Sequence, residues 1–328
     1  MLHIHNGDST AGTLRDFGFP GEHKAFHEAL MDGPTPSNLS GDEWLNLRAG
    51  FLGSYWAGDV DECAQDLFEE QQWLNRYTAQ DEVVLWFEHD LFCQINLIYL
   101  LDWFSTRRSS STRLSLICIG SFPGQPDFRG LGELTGEQLA SLFDTRHEVT
   151  DAEFSLASKA WAAYRSSNPE QIESLVKEDT SALPFLRDAL RLHLMRFPSP
   201  ENGLGHVENV ALKIIATGSS RFKSLFPHFA RTVPSYGMGD AQLWSALRRL
   251  GIGNDPLIKM ERPKIAAGME ASAYHDFVFE ATDFGREVLD GKRDFIQSNG
   301  IDLWLGGVHL VNSDYWRWDS GVEKLVRV

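Results

Sequence analysis

Asp81-Glu82-Val83-Val84-Leu85-Trp86-Phe87-Glu88-His89-Asp90-Leu91-Phe92 is the stretch whose reading decides the fold. Its first half is a run of β-branched, aliphatic and aromatic residues, the composition of a buried strand. From Cys93 to Phe104 the apolar residues instead recur at helical spacing. A strand therefore hands over to a helix at Glu88-His89-Asp90. In an open α/β sheet, that carboxyl-terminal strand edge is where ligands bind.

Working towards the N-terminus, Asp42 to Trp56 and Asp61 to Tyr77 read as amphipathic helices. Lys24 to Leu30 reads as a strand, ended by Asp32-Gly33-Pro34. Leu2 to His5 reads as the first strand, turned by Asn6-Gly7-Asp8-Ser9 into a helix over Thr10 to Phe17. Asp8 or Ser9 suits its N-cap. Towards the C-terminus, Gln94 to Phe104 is a helix, Arg107 to Thr112 a polar loop, and Arg113 to Ile119 a strand ending at Gly120-Ser121. Strands alternating with helices predict an α/β fold with an open, mostly parallel, Rossmann-like sheet. Its strand ends would gather His5, Asn6, Gly7, Asp8, Ser9, Asp32, Glu88, His89, Asp90 and Ser121.

From Thr135 the pattern turns helical, through Leu183 to Phe197, and Pro198-Ser199-Pro200 breaks it. Beyond the break come three helices (Val207–Ala216, Phe222–Phe229, Asp240–Leu250). Two short strands follow at Pro256–Lys259 and Phe277–Glu280, then a helix from Phe284. That is a winged-helix order. The expected domains are 1–134 (Rossmann-like), 135–202 (helical) and 203–328 (winged-helix-like with an aromatic tail).

The net charge of −16 is uneven. Residues 1–202 hold 15 Lys+Arg against 31 Asp+Glu, and residues 203–328 hold 15 against 15. An acidic first part argues against a broad nucleic-acid surface there. Residues 213–264 carry nine basic side chains against three acidic. These are Lys213, Arg221, Lys223, Arg231, Arg248, Arg249, Lys259, Arg262 and Lys264. Nucleic acid is one candidate partner of residues 203–295, through Arg248 and Arg249 on the recognition helix. The stronger reading is a protein-contact or purely structural winged helix, with both arginines ordinary solvated residues. No apolar run approaches the ~20 residues of a membrane helix, and the opening residues lack the regions of a signal peptide. Three unpaired cysteines fit a reducing compartment. A cytoplasmic location is the expectation, and oligomeric state is not legible.

Several pieces together resemble a bacterial family of unknown function, the "DUF eighteen thirty-five" type. They are Leu2-His3-Ile4, Asn6-Gly7-Asp8-Ser9, Asp32-Gly33-Pro34, Trp86 to Phe92, and the tail Gly300-Ile301-Asp302 with Trp304 to Leu310 and Trp316-Arg317-Trp318-Asp319. Leu303 stands where the resemblance leads to arginine. The resemblance implies no activity.

Chemistry must therefore come from the residues. Carboxylates of Asp8, Glu88 and Asp90 converging at one edge suit Mg²⁺, which takes oxygen ligands and bridges to phosphate. His89 adds an imidazole, and Gly7 lets a phosphate approach a helix N-terminus. The bland reading makes Asp90 a helix cap and Glu88 a solvated side chain. Asn6-Gly7-Asp8-Ser9 also resembles the opening block of Gly-Asp-Ser hydrolases, with Ser9 as nucleophile and Asp144-Thr145-Arg146-His147 supplying orienter and base. However, no Gly-x-Asn-Asp block stands between them. The leading expectation is a phospho-ligand or nucleotide-binding protein. Whether it is an enzyme stays open, and metal-assisted phosphoester hydrolysis or transfer is the activity such a site would allow. The alternatives are a winged-helix regulator and a serine hydrolase. The aromatic tail should fold back, either bringing His309 and Arg317 to the strand edge or only closing the C-terminal core.

Overall fold

The computed structural model describes residues 1–56, 59–218, 221–262, 274–311 and 315–328. It is a mixed α/β protein. The chain divides into two compact units, Met1–Arg191 with Gly306–Val308, and Leu192–Leu305 with His309–Val328. The expected separate helical segment therefore does not stand apart, since most of it belongs to the first unit.

The first unit opens with β1 (Leu2–His5), α1 (Asp8–Phe17), β2 (Glu22–Ala25) and β3 (Gly33–Pro34). Then come α2 (Gly41–Trp56), α3 (Val60–Asn75), β4 (Glu82–Glu88), α4 (Leu91–Ser105) and β5 (Arg113–Ile119). It continues with α5 (Gly136–Ser141), β6 (His147–Glu148), α6 (Asp151–Tyr164), α7 (Glu170–Leu175) and α8 (Leu186–Leu194), whose last residues pass the division. The sheet order is β2-β1-β4-β5-β6. The first four strands are parallel, and β6 runs antiparallel against β5.

β4 forms the middle of this sheet because Val83 to Phe87 are fully buried and find apolar cover on both faces. On one face Val84, Trp86 and Ile117 pack with Leu14 of α1 and Leu139 of α5. On the other lies α4, apolar all round and therefore buried on nearly every side. Its outer side is covered by α6, which is how the helical stretch joins this unit. Asp90 caps α4 by accepting the Cys93 N–H at 2.8 Å.

The second strand is shorter than the sequence pattern predicts. Residues beyond Ala25 leave the sheet because another partner takes their carbonyls. Arg48, wholly buried, pairs with Glu28 at 2.9 Å and donates to the carbonyls of Ala29 (3.0 Å) and Asp32 (2.7 Å). Asp32 is thereby held beside Arg48 and not at the end of β2. A closing contact inside this unit comes from far along the chain. Gly307 donates to the Tyr164 carbonyl at 2.8 Å, so close that an added Cβ would stand 1.9 Å from the Arg165 oxygen.

The second unit carries α9 (His206–Ala216), α10 (Phe222–Thr232), α11 (Asp240–Gly251), β7 (Ile258–Glu261), β8 (Val278–Ala281), α12 (Asp283–Leu289) and α13 (Phe295–Asn299). The tail supplies β9 (Asp302–Gly306), β10 (Val308–Val311), β11 (Trp316–Asp319) and β12 (Lys324–Arg327). β7 pairs with β8, and β11 with β12, both antiparallel. α9 packs against α10, α11, α12 and β8 around Leu212, Phe222, Phe229, Leu243 and Phe279. No helix among the described residues is long and apolar enough to cross a membrane.

Candidate functional site at the strand ends

β1 has β2 on one side and β4 on the other, so the chain order reverses between β1 and β4. Such a switch point opens a crevice at the carboxyl ends of the strands. In sheet order, those ends deliver His27, then Gly7 to Ser9, then Glu88 to Asp90, then Gly120-Ser121.

β1 turns sharply, with the Gly7 N–H donating to the His5 carbonyl at 3.0 Å. Gly7 stands at φ 110°, a left-handed region that favours glycine, and an added Cβ there would meet nothing within 4 Å. Gly7 is the N-cap of α1 and brings no side chain to cap it. The first N–H groups of α1 thus lack a side-chain partner, at the positive end of the helix dipole. Asn6 is tied down behind the turn. Its amide donates to Cys93 Sγ at 2.8 Å, and its oxygen accepts from Asn96 at 2.8 Å.

Glu88, Asp90 and Cys93 bring one carboxylate oxygen each and a sulfur within 4.8 Å of one another. Burial raises both carboxyl pKa values above the usual carboxylate range, and the Asp90 charge pushes Glu88 further. No Lys or Arg pairs with either among the described residues. The pair therefore holds a proton near neutrality, where an ordinary surface pair would hold none. The Cys93 thiol is held well above its ordinary pKa by burial and by both carboxylates, and stays protonated. Backbone approaches from one more side. Leu131 N–H donates to the Glu88 carboxylate, and a Cβ on Gly130 would lie 2.8 Å from its oxygens.

Asp8 is not part of this cluster. It is exposed, and its carboxylate meets His27 Nε2 at 2.9 Å. The His27 backbone is fixed by Glu70, which accepts its N–H at 2.8 Å. Burial pushes the Glu70 carboxyl up to about 8. Asp8 and His27 are thus an exposed carboxylate and imidazole hydrogen-bonded to each other at the ends of β1 and β2.

The remaining expected residues fall as follows. Ser9 is exposed, with Oγ 3.2 Å from a Cβ built on Gly132. Ser121 is exposed in the loop after β5. His89 packs its ring near Phe128 and Phe185, and burial lowers its pKa. His5 is core and not crevice. His23 Nε2 faces the Phe19 carbonyl at 3.1 Å and so carries the proton, its Nδ1 accepts from His5 Nε2 at 3.0 Å, and His5 stays neutral. His147 meets Glu153 at 2.7 Å, on a strand paired to the middle of β5, and joins neither Ser9 nor Asp8 in a triad.

Arg317 and His309 take their partners inside the second unit. Arg317 donates to Asp294 (2.6 Å), the Ser199 carbonyl (2.7 Å) and the Tyr315 hydroxyl (2.8 Å). His309 meets Asp302 at 2.8 Å and stacks on Trp304. These contacts keep His309 and Arg317 from the strand edge, while Gly306 and Gly307 of the same tail hydrogen-bond to Thr35 and Tyr164 in the first unit. On α11, Arg248 is exposed, whereas Arg249 is ion-paired to Glu208. Lys264 lies outside the described residues.

His27, Cys93, Asn96 and Gly130-Leu131 were not legible as site residues. Only the glycines of Gly130-Leu131-Gly132 left a trace, as a loop permitting close approach. No family model matches the chain, and no curated protein matches it. Fold and site together define an α/β protein with a mostly parallel sheet and a buried carboxylate pair at the carboxyl ends of its strands.

Proposed function

We propose that this crevice binds a phosphorylated, nucleotide-like ligand together with a divalent cation. The observation that carries the reading is an N-terminus of α1 without a side-chain cap, behind a glycine at φ 110°, at the switch point that also brings a buried carboxylate pair without a basic partner. The phosphate would take the α1 N–H groups. The cation would take Glu88 and Asp90 and expel their shared proton. Because the Cys93 thiol is neutral, the donors are hard oxygens, which selects Mg²⁺ or Mn²⁺ over softer ions. On this reading His27, hydrogen-bonded to Asp8, would take a proton from water or a hydroxyl, as metal-assisted phosphoester hydrolysis or transfer needs.

The test is thermal unfolding with Mg²⁺ or Mn²⁺, alone and with ADP. Both should raise the melting temperature by linkage. Asp90→Asn keeps an N-cap on α4 but removes a charge, so it should abolish the cation-dependent rise. Calorimetry in buffers of different ionisation enthalpy should show about one proton released per cation bound. Equal shifts in wild type and variant would sink the metal site.

A second reading has its own support. α9 to α11, the β7–β8 ribbon and α12 follow one another in winged-helix order, with Arg248 exposed on α11. On this reading the second unit binds nucleic acid and the first senses the ligand.

A further inference from the structure

The amino-terminal end of the same sheet holds a separate cavity of about 430 Å³, formed where α4 ends, β5 begins and α6 starts. β5 runs seven residues from this end to Ile119. That is about 20 Å at the usual strand rise, so the cavity is not part of the crevice.

Its apolar wall is Tyr77, Phe104, Leu114 and Phe154. Tyr77 and Phe104 are buried and set edge to face at 5.1 Å, and the Tyr77 hydroxyl is spent on the Arg107 carbonyl. The charged lining is Arg108, Glu148 and Asp151, one positive against two negative. Arg108 is committed, since it pairs with Asp151 and lies 4.2 Å over the Phe154 ring. Glu148, exposed on β6, makes no ion pair among the described residues. Arg113 feels its charge but holds Glu82 at 2.9 Å.

An anion finds no open helix N-terminus here. The N-terminus of α6 is closed by a capping box in which Thr150 accepts the Glu153 N–H and Glu153 accepts the Thr150 N–H at 2.7 Å. What remains is an aromatic wall beside a carboxylate without an ion pair among the described residues, within the size range of small-molecule pockets. Aromatic faces and a carboxylate both attract an ammonium group.

We propose that this cavity binds a small organic monocation, a primary amine with an aromatic or aliphatic body. Its ammonium group meets Glu148, and its body lies on Tyr77, Phe104 and Phe154. The hydroxyls of Ser109 and Thr112 line the polar side.

Calorimetric or NMR titration of the full chain with phenethylamine, 3-phenylpropionate and phenylalanine tests this. Phenethylamine should bind saturably, and the carboxylate probe should not. Glu148→Gln, at an exposed position, should weaken the amine at least tenfold while the circular dichroism spectrum stays unchanged. Phe154→Leu should weaken it too, with the wall kept apolar. Asp90→Asn should leave amine binding intact, which separates this site from the crevice. Three results would overturn the proposal: no saturable amine binding, equal binding of the carboxylate, or an affinity indifferent to Glu148→Gln. Tighter binding of phenylalanine than of phenethylamine would overturn the monocation assignment.

Discussion

β4 carries a buried or half-buried glutamate at each end, and the two behave oppositely. At the amino end, burial opposes the charge of Glu82, but Arg113, Arg146 and Ser115 all donate to it and hold its pKa down to about 2. At the carboxyl end, Glu88 has a backbone N–H, a thiol and another carboxylate for company, and its pKa is raised. Residue type and strand are the same, so the difference lies in what the rest of the fold brings to each end. Glu82 is a closed ion-pair network that holds β4, β5 and the 143–146 turn together. Glu88 is left without a positive partner, an arrangement that costs stability and is characteristic of functional sites.

The largest test of this contrast is a pH sweep of stability. His3 and His5, lowered by burial and by neighbouring histidines to about 4 and about 2, bind fewer protons folded than unfolded. Below pH 6.5 the unfolded chain therefore gains, and stability should fall by up to about 1.4 kcal/mol per pH unit for each. Glu82 adds to the acid loss, since its contribution is present above the unfolded carboxyl pKa and is lost as pH falls towards 2. Glu70, Glu88 and Asp90 act in the other direction. Their raised pKa values mean the folded state binds more protons, so stability falls as pH rises from about 4.5 towards about 8. Denaturant melts from pH 4 to 9 should show a maximum near pH 6, and Glu70→Gln should flatten the alkaline side. A flat alkaline limb in the wild type would contradict the reading of the carboxyl end.

Next in size is the removal of each glutamate. Glu82→Ala strands two arginines and should cost about 2–3 kcal/mol, below the range for fully buried pairs because both arginines reach solvent. Glu88→Gln replaces a carboxyl that already holds a proton for part of the time. At pH 7 it should change stability by less than about 1 kcal/mol while removing the response to Mn²⁺. Equal costs at the two ends would erase the distinction drawn here.

Smaller still is the effect expected of Gly7→Ala. The space for a methyl group exists, but φ 110° does not suit alanine, so the cost should be about 1–2 kcal/mol, with weaker binding of ADP. The smallest effect concerns the second unit. If it binds DNA, Arg248→Ala should lower the salt slope of binding by about one, with no change in the response to cations. Binding that ignores salt would remove the nucleic-acid reading.

Much of the first unit was legible because its signals are local. Val83 to Phe87 is too apolar to be anything but interior, and Asn6-Gly7 and Glu88-His89-Asp90 stand where periodicity changes. Lys24 to Leu30 misled, since its apolar residues are buried by a loop around Arg48 and not by a strand. Asp32, His5, His309 and Arg317 were plausible ligand residues by type, and each turned out to have other partners. A side chain's chemical type is local, but whether its hydrogen bonds are already used depends on residues far along the chain.

By itself, then, the sequence determined where strands pass into helices, that the first part is acidic, and that a glycine and carboxylates stand at strand ends. These follow from side-chain volume, polarity and backbone freedom, which each residue carries with it. Only the tertiary structure decided that Asp8 meets His27 rather than Glu88, that Cys93 and Leu131 complete the carboxylate cluster, and that Arg317 belongs to Asp294. Those pairings span 19 to 43 residues, except for the local Cys93, and no periodicity encodes them. Sheet order and packing choose which groups meet, and that choice sets which carboxylates are neutralised and which retain a proton.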